Sequence, residues 1–140
     1  MTSYKVEVDL HLHTAHSDGT LTPKELITFC KEKDLKIVSV TDHDITSGLS
    51  EAEEISSKMG IELIPGIELG ATWESSEIHI LGYYIDQNDR HFQKVLTDFR
   101  EDWIFRGQAM VSKLQEMGLD ISFERVQKIA GEGAVGRPHI

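Results

Sequence analysis

The segment from His11 to Gly19 concentrates side chains that bind metal ions. It reads His11-Leu12-His13-Thr14-Ala15-His16-Ser17-Asp18-Gly19. Side chains at positions i and i+2 of a strand point to the same face, so His11 and His13 would project side by side from the end of a strand. Two imidazoles, followed by the Asp18 carboxylate in a glycine turn, suit a divalent cation.

Residues of the same ligand types recur later in the chain. Asp42-His43-Asp44 and Glu68 each follow an apolar run, and His79 lies in a third. All are ligand types for borderline or hard divalent metals. We therefore predict a metal site formed by His11, His13, Asp18, His43, Glu68 and His79. His16 is a weaker candidate because it belongs to the turn, and His91 is expected to be solvated or to cap a helix.

The two aspartates beside His43 have more than one possible role. In an extended segment Asp42 and Asp44 face away from His43, and the simplest role for both is hydrogen bonding to the backbone where a strand meets a helix. Alternatively, Asp44 contacts a metal directly, or it bonds to a histidine ligand through the ring nitrogen that does not bind the metal.

Four histidines and two carboxylates exceed the needs of one tetrahedral ion, which predicts two or more metals. Ions roughly 3.5–4 Å apart can share a hydroxide and clamp a phosphoryl oxygen. Because a bound metal lowers the pKa of water from about 15.7 to about 7, a metal-bridging hydroxide needs no serine or cysteine nucleophile. The donor set admits Mn²⁺, Fe²⁺ or Zn²⁺, and Mn²⁺ is our first expectation.

One basic side chain close to the end of the sequence has a type suited to phosphate. In Arg137-Pro138-His139, the planar guanidinium of Arg137 could hold phosphate oxygens in two parallel hydrogen bonds. An ordinary surface arginine is the equally supported interpretation.

The elements that must position these residues alternate between strands and helices. Residues 5–10 predict the first strand. Thr22, Pro23 and Glu25 predict a helix start with a capping box, and this helix runs to about Lys33. The remaining predictions are a second strand over 36–41, a second helix from about Ser47 to Gly60, a third strand over 61–68 interrupted at Pro65-Gly66, and a fourth over 78–85.

This order is typical of right-handed βαβ units with a parallel sheet, and therefore of the α/β class. Sites in such sheets collect at the carboxyl ends of the strands. His11, His13, His43 and Glu68 all lie at such ends. His79 reaches the same edge only if the fourth strand runs antiparallel or the chain bends near Trp73.

The sequence changes character after Asp86. Apolar residues at helical spacing predict one long helix, or two joined near Gly107, up to Gly118; they are Phe92, Leu96, Phe99, Trp103, Met110, Leu114 and Met117. A shorter helix containing Val126 follows. This stripe is expected to form core or a helix-packing face. The end at His139-Ile140 predicts a truncated product or a fragment.

Composition limits the classes of partner. The chain has 140 residues, 39% of them hydrophobic, and a formal charge of −10, which argues against binding long duplex nucleic acid. Bound divalent cations would reverse the field locally and admit a phosphate. The single cysteine, Cys30, fits a reducing compartment. No signal segment or membrane span is recognisable, so we expect a cytoplasmic protein without membrane contact.

Taken together, these residues resemble the PHP (polymerase and histidinol phosphatase) family. The resemblance is carried in order by Asp9 to Gly19, Thr41-Asp-His-Asp44, Pro65-Gly-Ile-Glu68 and Ile78-His-Ile-Leu-Gly82. Thr22-Pro-x-Glu-Leu26, the helical segment and Gly136-Arg-Pro-His-Ile140 are similar to its nucleoside 3′,5′-bisphosphate phosphatase branch, which includes a 5′-to-3′ exoribonuclease that acts on short RNA.

The resemblance implies a distorted (β/α)7 barrel, of which residues 1–87 would be the N-terminal part and 88–140 the start of a helical insertion. It implies three metals. His11 and His13 would hold one, Glu68 would bridge it to a second held by His79, and Asp18 with His43 would hold the third. Arg137 and His139 would contact substrate phosphate. Further ligands of the family, a histidine and a closing Asp-x-His pair, are not in this sequence.

The leading hypothesis is a metal-dependent phosphoesterase that hydrolyses a phosphate monoester of a nucleoside 3′,5′-bisphosphate or of short RNA. The alternatives are a histidinol-phosphate phosphatase, a DNA exonuclease of the same family, and a catalytically incomplete metal-binding fragment.

Overall fold

A computed structural model describes residues 7–74, 76–131 and 139–140. The elements follow one another as β1 (Val8–Leu12), α1 (Pro23–Glu32), β2 (Ile37–Val40), α2 (Leu49–Met59), β3 (Glu62–Trp73), β4 (Ser76–Tyr83), α3 (Arg90–Glu116) and α4 (Phe123–Ala130). The predicted alternation of strands and helices is confirmed in this α/β architecture.

The four strands form one sheet in the order β1-β2-β3-β4. The first three are parallel, as predicted for consecutive βαβ units, while β4 is antiparallel to β3. Because β4 returns alongside β3, His79 lies opposite Gly70, next to the end at which the parallel strands finish. The antiparallel alternative for the fourth strand is therefore the correct one.

Several predicted boundaries are shifted. The first strand ends at Leu12 rather than at residue 10, so it includes His11, and its expected start at residues 5 and 6 lies outside the described residues. The third strand is not interrupted at Pro65-Gly66 and continues to Trp73, because its outer part is paired with β4. The fourth strand begins and ends two residues earlier than predicted.

Local sequence explains the ends of the first two helices. Thr22 and Glu25 form the predicted reciprocal capping box at the start of α1, with Pro23 in the first turn. Helix α2 begins at Leu49 and ends at Met59, and it is capped by Gly60, whose φ of 66° is the left-handed conformation that glycine adopts at low cost. These two helices pack on the sheet around Ile27, Val38 and Leu49, each at most 2% exposed.

Helix α3 is continuous through Gly107, which excludes two helices joined there. Leu96, Gly107 and Val111 are its buried residues, whereas Met117 is 73% exposed, so only part of the predicted apolar stripe is core. A small cluster joins α3 to α4 through Val111 and Val126. The division of the chain into residues 1–87 and 88–140 stays a prediction.

Within the described residues, no helix combines the length and the apolarity that crossing a bilayer requires.

Candidate metal centre

The ends of three neighbouring strands bring the predicted ligands together. His11 lies on β1 and His13 follows it directly, while His43 lies after β2 and forms a parallel bridge with Glu68 on β3. His79 reaches the same place from β4. The six candidates, spread over 11–79 in the sequence, form three overlapping groups: His11-His13-Glu68, His13-Asp18-His43 and His43-Glu68-His79. Within each group, the potential ligand atoms lie within 4.8 Å of one another.

Glu68 lies at the centre of this cluster and is 5% exposed. Its Oε2 is 2.7 Å from His11 Nε2 and 3.0 Å from His13 Nε2, whereas its Oε1 is 2.6 Å from His79 Nδ1. The two oxygens of one carboxylate thus face different histidines. This arrangement allows Glu68 to bridge two cations.

The four imidazoles form a row. Ring centroids are 5.0 Å apart for His11 and His13, 4.7 Å for His13 and His43, and 5.0 Å for His43 and His79. Asp18 lies beside two of these rings, with Oδ1 3.3 Å from His13 Nδ1 and Oδ2 3.5 Å from His43 Nε2. His13, His43 and Glu68 each belong to two of the three groups.

The protonation states fit cation binding. Burial, and next the charge of His43, lower the pKa of His13, which favours the neutral ring that can donate a lone pair. Burial alone would raise the pKa of Glu68, but the hydrogen bond from His11 and the charge of His43 outweigh it and lower that pKa. A neutral imidazole and an ionised carboxylate are donors that divalent transition metals take, so the lowered pKa values of His13 and Glu68 fit such ions.

Asp42 holds the loop that carries His13 and Asp18. Its carboxylate accepts hydrogen bonds from the Thr14 backbone N–H (2.7 Å), the Thr14 hydroxyl (2.6 Å) and the Ser17 hydroxyl (2.5 Å). Asp42 is 3% exposed. The predicted backbone-bonding role is therefore correct, and it extends to the two hydroxyls of the turn.

Asp44 joins the sheet to helix α3. It is fully buried, with a φ of 52°, and burial raises the pKa of its carboxyl group. Oδ2 accepts the Trp103 indole N–H at 2.7 Å, and Oδ1 accepts the Gly70 backbone N–H at 3.2 Å. Asp44 belongs to none of the three ligand groups. The sequence offered Trp103 only as part of an apolar stripe and gave no signal of this contact.

The remaining candidates lie apart from the cluster or outside the described residues. The Nδ1 of His16 is 2.8 Å from the Ser47 hydroxyl, so this ring joins two loops and is not in a ligand group. His91 lies, exposed, in the first turn of α3. Arg137 is outside the described residues. His139 is described, is in no ligand group, and its contact with substrate stays a prediction.

Comparison with known proteins identifies several relatives. The PHP domain family matches residues 9–122. The chain is 37% identical over 140 residues to the 5′-3′ exoribonuclease Rnm of Escherichia coli, covering 99% of this chain and 48% of that protein. It is 33% identical over 117 residues to the 3′,5′-nucleoside bisphosphate phosphatase of Chromobacterium violaceum, covering 84% of this chain and 41% of that protein.

A solved structure from Bifidobacterium adolescentis, provisionally named a metal-dependent phosphoesterase, has the same fold. The TM-score is 0.86 at 32% identity, and the match covers 95% of this chain and 47% of that one. The sheet described above corresponds to about half of the barrel of such neighbours. The chain also spans about half the length of the curated relatives it matches.

Proposed function

Because the chain belongs to the PHP domain family, whose match spans residues 9–122, we propose that it supplies the metal centre of a phosphoesterase acting on phosphate monoesters of small nucleotides or short RNA. The observation that supports this proposal is the convergence of four imidazoles and two carboxylates from separate strands on one cluster. Two or three divalent ions, with Mn²⁺ as our first choice, are the cofactors proposed.

Each part of the cluster has a proposed task. His11 and His13 would hold one ion together with Glu68, whose other oxygen lies beside His79 and would serve a second ion. Asp18 and His43 would hold a third. When bound, such ions lower the pKa of water and neutralise charge on a phosphoryl group.

The chain's own residues supply geometry and charge. Asp42 keeps the 13–18 loop fixed through three hydrogen bonds, so that the Asp18 carboxylate stays beside His43. Without cations, the negative charges of Glu68 and Asp18 would repel a phosphate. The proposed order is therefore that cations bind first and the phosphate ester second.

The substrate class rests on the named relatives. One is named an exoribonuclease and another a nucleoside bisphosphate phosphatase, and both are nucleotide hydrolases. A phosphate ester of a nucleotide is the group that these two activities share. We therefore propose a small nucleotide or a short RNA as the substrate of the complete protein.

Phosphate release from 3′-phosphoadenosine 5′-phosphate tests this proposal. The 140-residue chain, and the longest protein that its reading frame encodes, should be assayed with Mn²⁺, Fe²⁺ and Zn²⁺, beside histidinol phosphate and DNA. Release that needs metal and is lost in Glu68→Gln but kept in His91→Ala supports the proposal. Activity confined to the longer protein, with metal still bound by this chain, supports an incomplete fragment. No release by either protein with any metal contradicts the proposal.

A further inference from the structure

A cavity of about 160 Å³ lies beside the metal centre, between the β3–β4 hairpin and helix α3. Gly70 and Thr72 line it from β3, Glu77 from β4, and Phe99 and Trp103 from α3. None of these residues belongs to the three ligand groups. The cavity is therefore lined by residues that are separate from the proposed metal ligands.

The cavity continues the same face of the sheet that carries the metal ligands. Glu68, Gly70 and Thr72 alternate on β3 and so point to one face. Gly70 pairs with His79, and Thr72 pairs with Glu77. Two residues of a strand span about 7 Å, so Gly70, at the edge of the cavity, lies about that far along β3 from Glu68. If the phosphate of a substrate lay at the metal centre, another part of the same molecule would reach the cavity.

Helix α3 provides a fixed aromatic wall. A side chain at position 70 would place its Cβ 3.1 Å from Trp103 Cζ2, so glycine lets the indole lie against the strand. The hydrogen bond to Asp44 sets the orientation of this ring. The Arg106 guanidinium lies 4.5 Å from the Trp103 ring centroid and pairs with Glu77 at 3.7 Å. The wall is thus formed before any ligand binds.

The charged side chains that line the cavity disfavour a second phosphate and favour a neutral ring. Glu77 and Asp102 outnumber the one cation, Arg106, among the lining residues. Carboxylates accept hydrogen bonds from amino groups, and aromatic rings and guanidinium planes stack on flat heterocycles. A cavity of roughly 150 Å³ can hold a benzene-sized ring. A nucleobase presents a flat face and, in adenine, guanine and cytosine, amino donors.

We propose that this cavity binds the base of a nucleotide whose phosphate lies at the metal centre. The inference rests on the proposed function and deepens it, because it states which surface distinguishes a nucleotide from any other phosphate monoester. Phe99, Trp103 and Arg106 contact the base, while Glu77 and Asp102 accept its amino protons.

A matched pair of substrates tests the inference in the active full-length protein. Adenosine 5′-monophosphate and ribose 5-phosphate carry the same reacting ester and differ only in the base. Phe99→Ala should lower the ratio of their kcat/KM values about tenfold, the size typical of one lost base–aromatic stack. Phe105→Ala, which removes a 74% exposed ring of the same helix outside the cavity, should keep the wild-type ratio. An unchanged ratio in Phe99→Ala would overturn the inference.

A binding measurement judges the inference independently of turnover. In a Trp73→Phe background, Trp103 is the only indole of the chain. Adenosine, which has no phosphate, should quench its fluorescence saturably without metal, whereas ribose should not. Quenching without any phosphate release from either substrate would support the cavity and contradict the proposed function. Equal responses to adenosine and ribose, or none to either, would overturn the cavity assignment.

Discussion

At the scale of single residues, two buried carboxylates have different partners. Glu68 faces histidines with both oxygens, so its charge is directed into the cluster. Asp42 faces only hydroxyl and amide donors, so its charge is used to fix a loop. The chemistry of their partners, rather than burial, distinguishes the proposed ligand Glu68 from the positioning residue Asp42, since both are at most 5% exposed.

Asp42→Asn should destabilise the protein by about 2 kcal/mol. The amide keeps the size of the side chain but has no charge, and only one of its two terminal atoms can accept a hydrogen bond. Hydrogen bonds to charged groups are worth about 1.5–3 kcal/mol. Urea denaturation without metal measures this loss. Asp98→Asn, at an exposed position of α3, is the control and should change the free energy of unfolding little. Equal midpoints for the two variants would show that Asp42 does not stabilise the loop.

At the scale of elements, close approach between strands sets the geometry of the site. Gly66 is buried on β3, and a Cβ there would lie 2.8 Å from Thr41 Cγ2 and 3.1 Å from the Val40 carbonyl oxygen. Two residues farther on, Glu68 accompanies His43 in the parallel bridge. The absence of a side chain at Gly66 is thus part of what lets these two residues meet.

Gly66→Ala should push β3 away from β2 and cost about 1–3 kcal/mol of stability, as overpacking does. Gly82→Ala on β4 is the matched control, since its nearest contact would be a less severe 3.3 Å to Ile67 Cγ2. Thermal denaturation of both variants without metal measures the difference. A Gly82→Ala variant that is destabilised as much as Gly66→Ala would contradict this steric explanation.

At the scale of the whole molecule, the cluster ties together every strand of the sheet. Its six residues come from β1, β3 and β4 and from the segments that follow β1 and β2. A ligand that binds only the folded state stabilises it by RT ln(1 + [L]/Kd), because the unfolded chain separates these groups. We therefore expect metal binding at this cluster to stabilise the folded state.

Mn²⁺ at about 100 times its Kd should raise the free energy of unfolding by about 2.7 kcal/mol per site. Glu68→Gln should lose most of this increase, because Glu68 belongs to two of the three ligand groups. His91→Ala should keep it, since His91 is exposed on α3 away from the cluster. Scanning calorimetry with Mn²⁺ and with a chelator measures the effect. A Glu68→Gln protein stabilised as strongly as the wild type would exclude Glu68 as a ligand.

The sequence alone determined the local features. The capping box at Thr22 and the glycine stop at Gly60 depend on neighbouring residues, and both are confirmed. The clustering of five of the six residues was also predictable, because parallel strands finish at one edge of a sheet and these residues lie at or after predicted strand ends; His79, within the fourth strand, was the exception. Features that depend only on residues adjacent in the chain can therefore be predicted from the order of those residues.

The tertiary structure decided the long-range features. The continuation of β3 past Glu68, the antiparallel return that brings in His79, and the contact of Trp103 with Asp44 each join residues that no local pattern relates. A strand continues where it finds a partner, and an indole N–H bonds to a carboxylate only when packing brings the two together. These choices depend on the free energy of the whole fold, so they are absent from any short window of the sequence.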